Sequence, residues 1–105
     1  MKGFTRVAAT ADIPPGEIKS FDVAGEDVAV ANVGGEFRAF SNICPHQDAD
    51  LASGLGAIYG NEVVCMLHDS AFDLTTGQTT DGPSAEPLTI YAVRVEGEDL
   101  LIGRE

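Results

Sequence analysis

Positive charge is scarce in this chain. Six Lys and Arg stand against seventeen Asp and Glu, for a formal net charge of −11. Nucleic acid and anionic membrane both demand a basic surface, so the shortage argues against either as a partner. It favours a soluble protein steered toward something basic, although acidity also serves plain solubility. Long apolar runs are missing as well. No segment is long enough to span a bilayer. The opening MKGFTRVAATADIPPGE has one early lysine but no apolar stretch of signal-peptide length, so a cytoplasmic domain is expected. There is no linker, internal repeat or low-complexity tract, and 105 residues suit a single domain, 1–105, with one core.

Helical periodicity is lacking too. No 11-residue window carries a convincing 3.6-residue apolar stripe; short alternating runs divided by turn residues take its place. Strands are expected at Glu17–Val23, Asp27–Val33, Glu36–Phe40, Glu62–Cys65, Ala71–Leu74, Thr89–Val95 and Leu100–Ile102. Gly34-Gly35 is a two-residue hairpin turn between Asp27–Val33 and Glu36–Phe40. GED at 97–99 closes a last hairpin, and Pro14-Pro15-Gly16 is a further turn. The expected fold is all-β, a small sandwich or barrel of about seven to nine short antiparallel strands. Phe40, Phe72 and Tyr91 are expected in its core. Two segments break the rhythm, Ser41 to Gly60 and Leu67 to Pro87, and long loops on a small β scaffold usually carry function.

Cysteine and histidine number two each, and all four gather at the entrances to these loops: Cys44-x-His46, eighteen intervening residues, then Cys65-x-x-His68. Three readings compete. The bland one is two buried thiols with incidental histidines. The second is a structural zinc site, for which two Cys and two His suffice. Zinc ligand pairs are usually two to four residues apart, though, and one spacer between Cys44 and His46 is tight for one ion. In an extended segment, positions 44 and 46 point to the same side and reach two metal atoms lying side by side. That geometry suits the third reading, a [2Fe–2S] cluster with two cysteines on one iron and two histidines on the other.

CPH with CMLH, followed by DSAFDLTTG, resembles the Rieske family, and the likeness extends to GPSAEPL (82–88) and the final hairpin IYAVRVEGEDLLI. The resemblance implies one Rieske cluster per chain, with Cys44 and Cys65 on the inner iron and His46 and His68 on the outer iron. It also implies a cluster-binding subdomain, roughly 41–75, built from the two loops. Neutral imidazoles in place of two thiolates reduce the negative charge at the cluster and make an electron easier to accept. Members from cytochrome bc-type complexes add a disulfide between the loops; Ala49 and Leu67 stand at those positions here. High-potential members place a serine and a tyrosine after the second histidine. Here Ser70 keeps the first and Phe72 replaces the second, so a potential toward the low end, about −150 mV, is expected. Ser70 either donates to a cluster sulfur or caps a backbone group. Pro83 and Pro87 resemble the third loop that covers the cluster, or merely punctuate turns. Asp48 and Asp69 stand where ferredoxin-type members usually have glycine.

The chain is similar to the ferredoxin component of bacterial aromatic-ring-hydroxylating dioxygenases. That implies a mobile, monomeric one-electron carrier between a flavoprotein reductase and a terminal oxygenase, with no substrate chemistry of its own. Other readings are the Rieske-like small subunit of a nitrite reductase and, from another class, a zinc-bound structural or interaction module. Asp48, Asp50 and Asp69 flank ligand positions and form an expected acidic rim for transient docking onto basic partner surfaces.

Overall fold

Two-residue turns set the register of the chain. In the computed structural model, which describes residues 3–43, 50–53, 56–65, 70–81 and 87–104, strand pairs close at Val23↔Glu26, Val33↔Glu36, Tyr59↔Glu62 and Glu96↔Asp99. Gly34 and Gly35 have φ of 60° and 99°, as a turn matching the twist of its strands requires. The turn after Val23 instead puts Ala24 at φ 53°, the one non-glycine with positive φ among the described residues. Its next neighbour, Gly25, donates its N–H to Asp22 Oδ1 at 2.9 Å. An L-residue is strained in that region. Ala24→Gly is therefore expected to stabilise the fold by about 0.5–1 kcal/mol net of unfolded-chain entropy, read as a raised urea midpoint; a lowered one would contradict the strain.

The described residues form ten strands: β1 Gly3–Ala9, β2 Ile18–Val23, β3 Glu26–Val33, β4 Glu36–Ser41, β5 Gly56–Tyr59, β6 Glu62–Cys65, β7 Ser70–Asp73, β8 Thr79–Asp81, β9 Ile90–Glu96 and β10 Asp99–Arg104. Short 3₁₀ turns sit at Thr10–Asp12 and Leu51–Ser53. Among the described residues no helix is long and apolar enough to cross a membrane. The strands make two antiparallel sheets, β1-β10-β9-β4-β3-β2 and β5-β6-β7-β8.

The fold is all-β as expected, with ten strands where seven to nine were expected. The added ones carry weak signals. β1 has a register shift between Arg6 and Ala8, which destroys clean alternation. β5 lies in the Gly- and Ala-rich stretch read as loop, and β8 has only three residues.

Two cores flank the large sheet. Its strand β3 is buried on both faces: Val28 and Val30 join Ile13, Val23, Leu100 and Ile102, while Ala29 and Ala31 join Phe40, Leu51, Val63, Cys65, Phe72, Leu74 and Leu88. Period-two geometry assigns the faces. The small alanines let the four-stranded sheet approach closely, and each large side chain buried there stabilises by about 1.5–3 kcal/mol. Phe40, Phe72 and Tyr91 are core residues, as expected.

Candidate functional site

Of the expected site residues, Cys65 and Ser70 fall on described strands; Cys44, His46, His68 and Pro83 lie outside the described residues, as do Asp48 and Asp69. β6 ends at Cys65 and β7 begins at Ser70, and the two are directly paired. Two pairs further along, past Val64 and Ala71, Val63 faces Phe72. Alternation thus puts Val63, Cys65, Ser70 and Phe72 on one inward face, and all four are buried. Side chains in such a pair have Cβ atoms about 4.5–5.5 Å apart. The Cys65 thiol and the Ser70 hydroxyl therefore meet at the mouth of the hairpin, backed by the Phe72 ring.

Ser70 Oγ is fully buried and has no hydrogen-bond partner among the described residues. Leaving a buried hydroxyl unsatisfied costs about 1–3 kcal/mol, so such an atom calls for a partner beyond the described residues, from the rest of the chain or from a bound group. Sulfur atoms of a cluster held by Cys65 are acceptors of the needed kind. The alternative, a hydroxyl capping a backbone group, finds no such bond among the described residues. Phe72, two residues on, offers no hydroxyl.

The first loop is closed by a polar knot that sequence reasoning missed. Ile43 and Asp50 form an isolated antiparallel bridge, so the chain is held side by side just before residue 44 and just after residue 49. Next to it Asn42 is completely buried. Its Nδ2 donates to both carboxylate oxygens of Asp27 at 3.2 Å and to Asp50 Oδ1 at 2.6 Å, and its Oδ1 accepts from Ala52 N at 2.8 Å. On the main chain, Asn42 N donates to Asp27 O and Leu51 N donates to Asn42 O. Asp50, expected in an acidic rim, is exposed but bound into this knot. Only the position of Asn42, two residues before Cys44 at a strand end, hinted at it.

The base of the second loop is also locked. Asp73 Oδ1 accepts from Thr75 N and Thr76 N, Gly77 N donates to Asp73 O at 2.7 Å, and Leu88 N donates to Gly77 O at 2.7 Å. The TTG of DSAFDLTTG thus ties the end of β7 to the chain emerging after residue 87. The small sheet continues to Asp81.

Charge is segregated. No Lys or Arg lies between Arg38 and Arg94, whereas Asp48, Asp50, Glu62, Asp69, Asp73, Asp81 and Glu86 do. On the large sheet Arg6, Arg38 and Arg94 each pair with an acid, Asp99, Glu36 and Glu96. A cleft of about 1070 Å³ among the described residues runs from Gly35 to Ala39, past Leu74 and Thr75, to Val95, and no cysteine or histidine lines it.

Comparison with known proteins bears on the chain as a whole. The family model of the Rieske [2Fe-2S] domain matches residues 3–92. A biphenyl dioxygenase ferredoxin subunit from Pseudomonas sp. (strain KKS102) is 37% identical over 99 residues, covering 94% of this chain and 90% of the relative. Among solved structures, the ferredoxin of carbazole 1,9a-dioxygenase from Nocardioides aromaticivorans IC177 superposes with a TM-score of 0.89 at 34% identity, covering 99% of this chain and all of that one. A chain of the same length class, from a complex of reduced oxygenase and oxidized ferredoxin in carbazole 1,9a-dioxygenase, gives 0.85 at 30% identity, covering 94% of this chain and 100% of its own.

Proposed function

The chain belongs to the Rieske [2Fe–2S] domain family, and on that premise we propose that it is the ferredoxin component of an aromatic-ring dioxygenase system, carrying single electrons from a flavoprotein reductase to a terminal oxygenase. The observation that carries this reading is the buried Cys65 thiol facing the unpartnered Ser70 hydroxyl, in a chain that matches such ferredoxins along 90% or more of their length. The protein is an electron-transfer component rather than a catalyst of substrate chemistry.

The cofactor is a Rieske [2Fe–2S] cluster, which when bound supplies one-electron redox chemistry. Cys44 and Cys65 hold one iron, His46 and His68 the other, within a subdomain formed by the two loops of a single domain. Cys65 anchors the buried side, because its strand directs it inward with Val63. Ser70 donates its hydroxyl to a cluster sulfur and so favours the reduced form. Phe72 excludes water behind the pair and donates nothing, which keeps the potential toward the low end of the family range. Pro83, outside the described residues, is assigned to a covering segment by its resemblance to the family's proline-containing third loop alone. The carrier works in the cytoplasm as a monomer, and docks transiently through the cation-free stretch between Arg38 and Arg94 onto basic partner surfaces.

The test starts with colour. Protein purified with iron is expected to be red-brown and to be reduced by a flavoprotein reductase with NADH, then reoxidised by a terminal oxygenase. A colourless protein loaded with zinc would end this reading. Transfer rates are expected to fall steeply as salt rises from about 0.1 to about 1 M, where the screening length shrinks from about 10 to about 3 Å. A flat salt profile would leave the acids with no part in docking.

A further inference from the structure

We propose that Asn42 is a positioning residue for the first ligand loop, acting through Asp27 and Asp50. The role rests on the cluster reading above. It goes beyond that reading because Asn42 is no ligand and lies outside the spacing that marks the site.

Six residues, 44–49, separate Ile43 from Asp50 in the chain, and the proposed ligand positions 44 and 46 are among them. Whatever holds its two ends together also sets where those ligands stand. The backbone bridge of Ile43 with Asp50 is isolated, without the ladder of neighbouring pairs that makes a strand pair cooperative. Main-chain bonds of Asn42 with Asp27 and Leu51 add to it, and the further support comes from the side chain of Asn42. One amide hydrogen goes to Asp27, at the start of β3; the other goes to Asp50, at the loop's exit; the amide oxygen takes the N–H of Ala52. The knot therefore ties the chain at Asp50 to β3, an inner strand of the large sheet that is buried on both faces.

Chemistry makes this amide hard to replace. Asp27 and Asp50 are both anionic acceptors and would repel each other across so short a gap; Asn42 supplies the neutral double donor between them. Hydrogen bonds to charged acceptors are the stronger kind. Full burial of Asn42 also means that water does not take its place without opening the structure. The pin is built for rigidity at one loop end, and a cluster shared between two loops needs that rigidity to keep its ligand geometry.

The experiment uses the intact, cluster-loaded protein and three variants: Asn42→Leu, Asp50→Ala and Asp50→Asn. In Asp50→Asn the new amide oxygen still accepts from Asn42 and from Ala52 N, so the pin survives while a charge goes. In Asp50→Ala the pin is cut at an exposed position, which keeps the test open should Asn42→Leu fail to fold. The readouts are loss of visible absorbance in the presence of a chelator, g-values of the reduced cluster, and the midpoint potential. Asn42→Leu and Asp50→Ala are expected to lose colour about 10- to 100-fold faster and to show shifted or broadened g-values. Asp50→Asn is expected to keep wild-type retention and g-values while its potential rises, because removing a nearby negative charge favours the reduced state. Wild-type retention and g-values in Asp50→Ala would overturn the role. So would an Asp50→Asn that loses colour as fast as Asp50→Ala, since charge and not the hydrogen bond would then matter. A wild-type protein that is colourless when purified with iron overturns the cluster reading itself, and this role with it.

Discussion

Cys65→Ala is expected to yield a protein that folds and carries no colour. The residue ends β6, buried as Val63 is, and Val63, Ser70 and Phe72, the described residues on the same face, offer no thiolate or imidazole. Losing one thiolate of four ligands opens one iron to water, and the visible bands and electron transfer should vanish together. The strand ladder does not depend on the thiol, so far-UV circular dichroism should keep its β character. Ser70→Ala separates ligation from hydrogen bonding on the same strand pair. It should keep the colour and lower the midpoint by roughly 20–60 mV, the equivalent of one neutral hydrogen bond at one electron. A coloured Cys65→Ala protein would remove that residue from the ligand set. An unchanged potential in Ser70→Ala would return the hydroxyl to a structural role.

Gly77→Ala should be the most destabilising single substitution outside the ligands. Gly77 has φ +81°, and a Cβ there would stand 2.0 Å from the Leu88 carbonyl oxygen and 3.2 Å from Ile90 Cγ1. The obstacle is backbone, which no rotamer change can clear. Relief requires pulling the two segments apart, which breaks the bond from Leu88 N to Gly77 O and withdraws Leu88 from Phe72 and Leu74. The left-handed conformation, the lost hydrogen bond and the loosened core sum to at least about 3 kcal/mol. For a domain near 100 residues that lowers Tm by roughly 12–24 °C. Gly60→Ala is the control: φ is +59° with nothing within 4 Å of the added carbon, so only the conformational cost, about 1–2 kcal/mol, remains. Equal melting of the two variants would show that Leu88 moves freely and that the second loop is not locked.

Legibility in the sequence followed the range of the interactions. Glu62–Cys65 was expected and found with the same bounds, and the Gly34-Gly35 turn has the positive φ at both positions that its composition calls for. Both rest on neighbours in the chain. β1, β5 and β8 were not read as strands, because their pairing is set by partners and bulges rather than by their own alternation. For the site, two cysteines and two histidines at that spacing narrowed the choice to metal chemistry, and their resemblance to the Rieske pattern pointed to the cofactor class without coordinates.

The supports of those ligands were decided elsewhere. Asp27 reaches Asn42 across fifteen positions and belongs to another strand; Gly77 needs to be glycine because of a carbonyl eleven residues later. Asp50 illustrates both levels. Its charge and its place beside the first ligand pair were plain in CPHQDAD, and suggested a rim for partners. Only the folded chain shows its carboxylate closing a loop against a buried amide. Residue type and spacing determine which cofactor this protein can hold, because donor chemistry is a property of side chains. How firmly and in what geometry it is held was decided by tertiary structure, because hydrogen bonds and close contacts between distant segments exist only once the strands have paired.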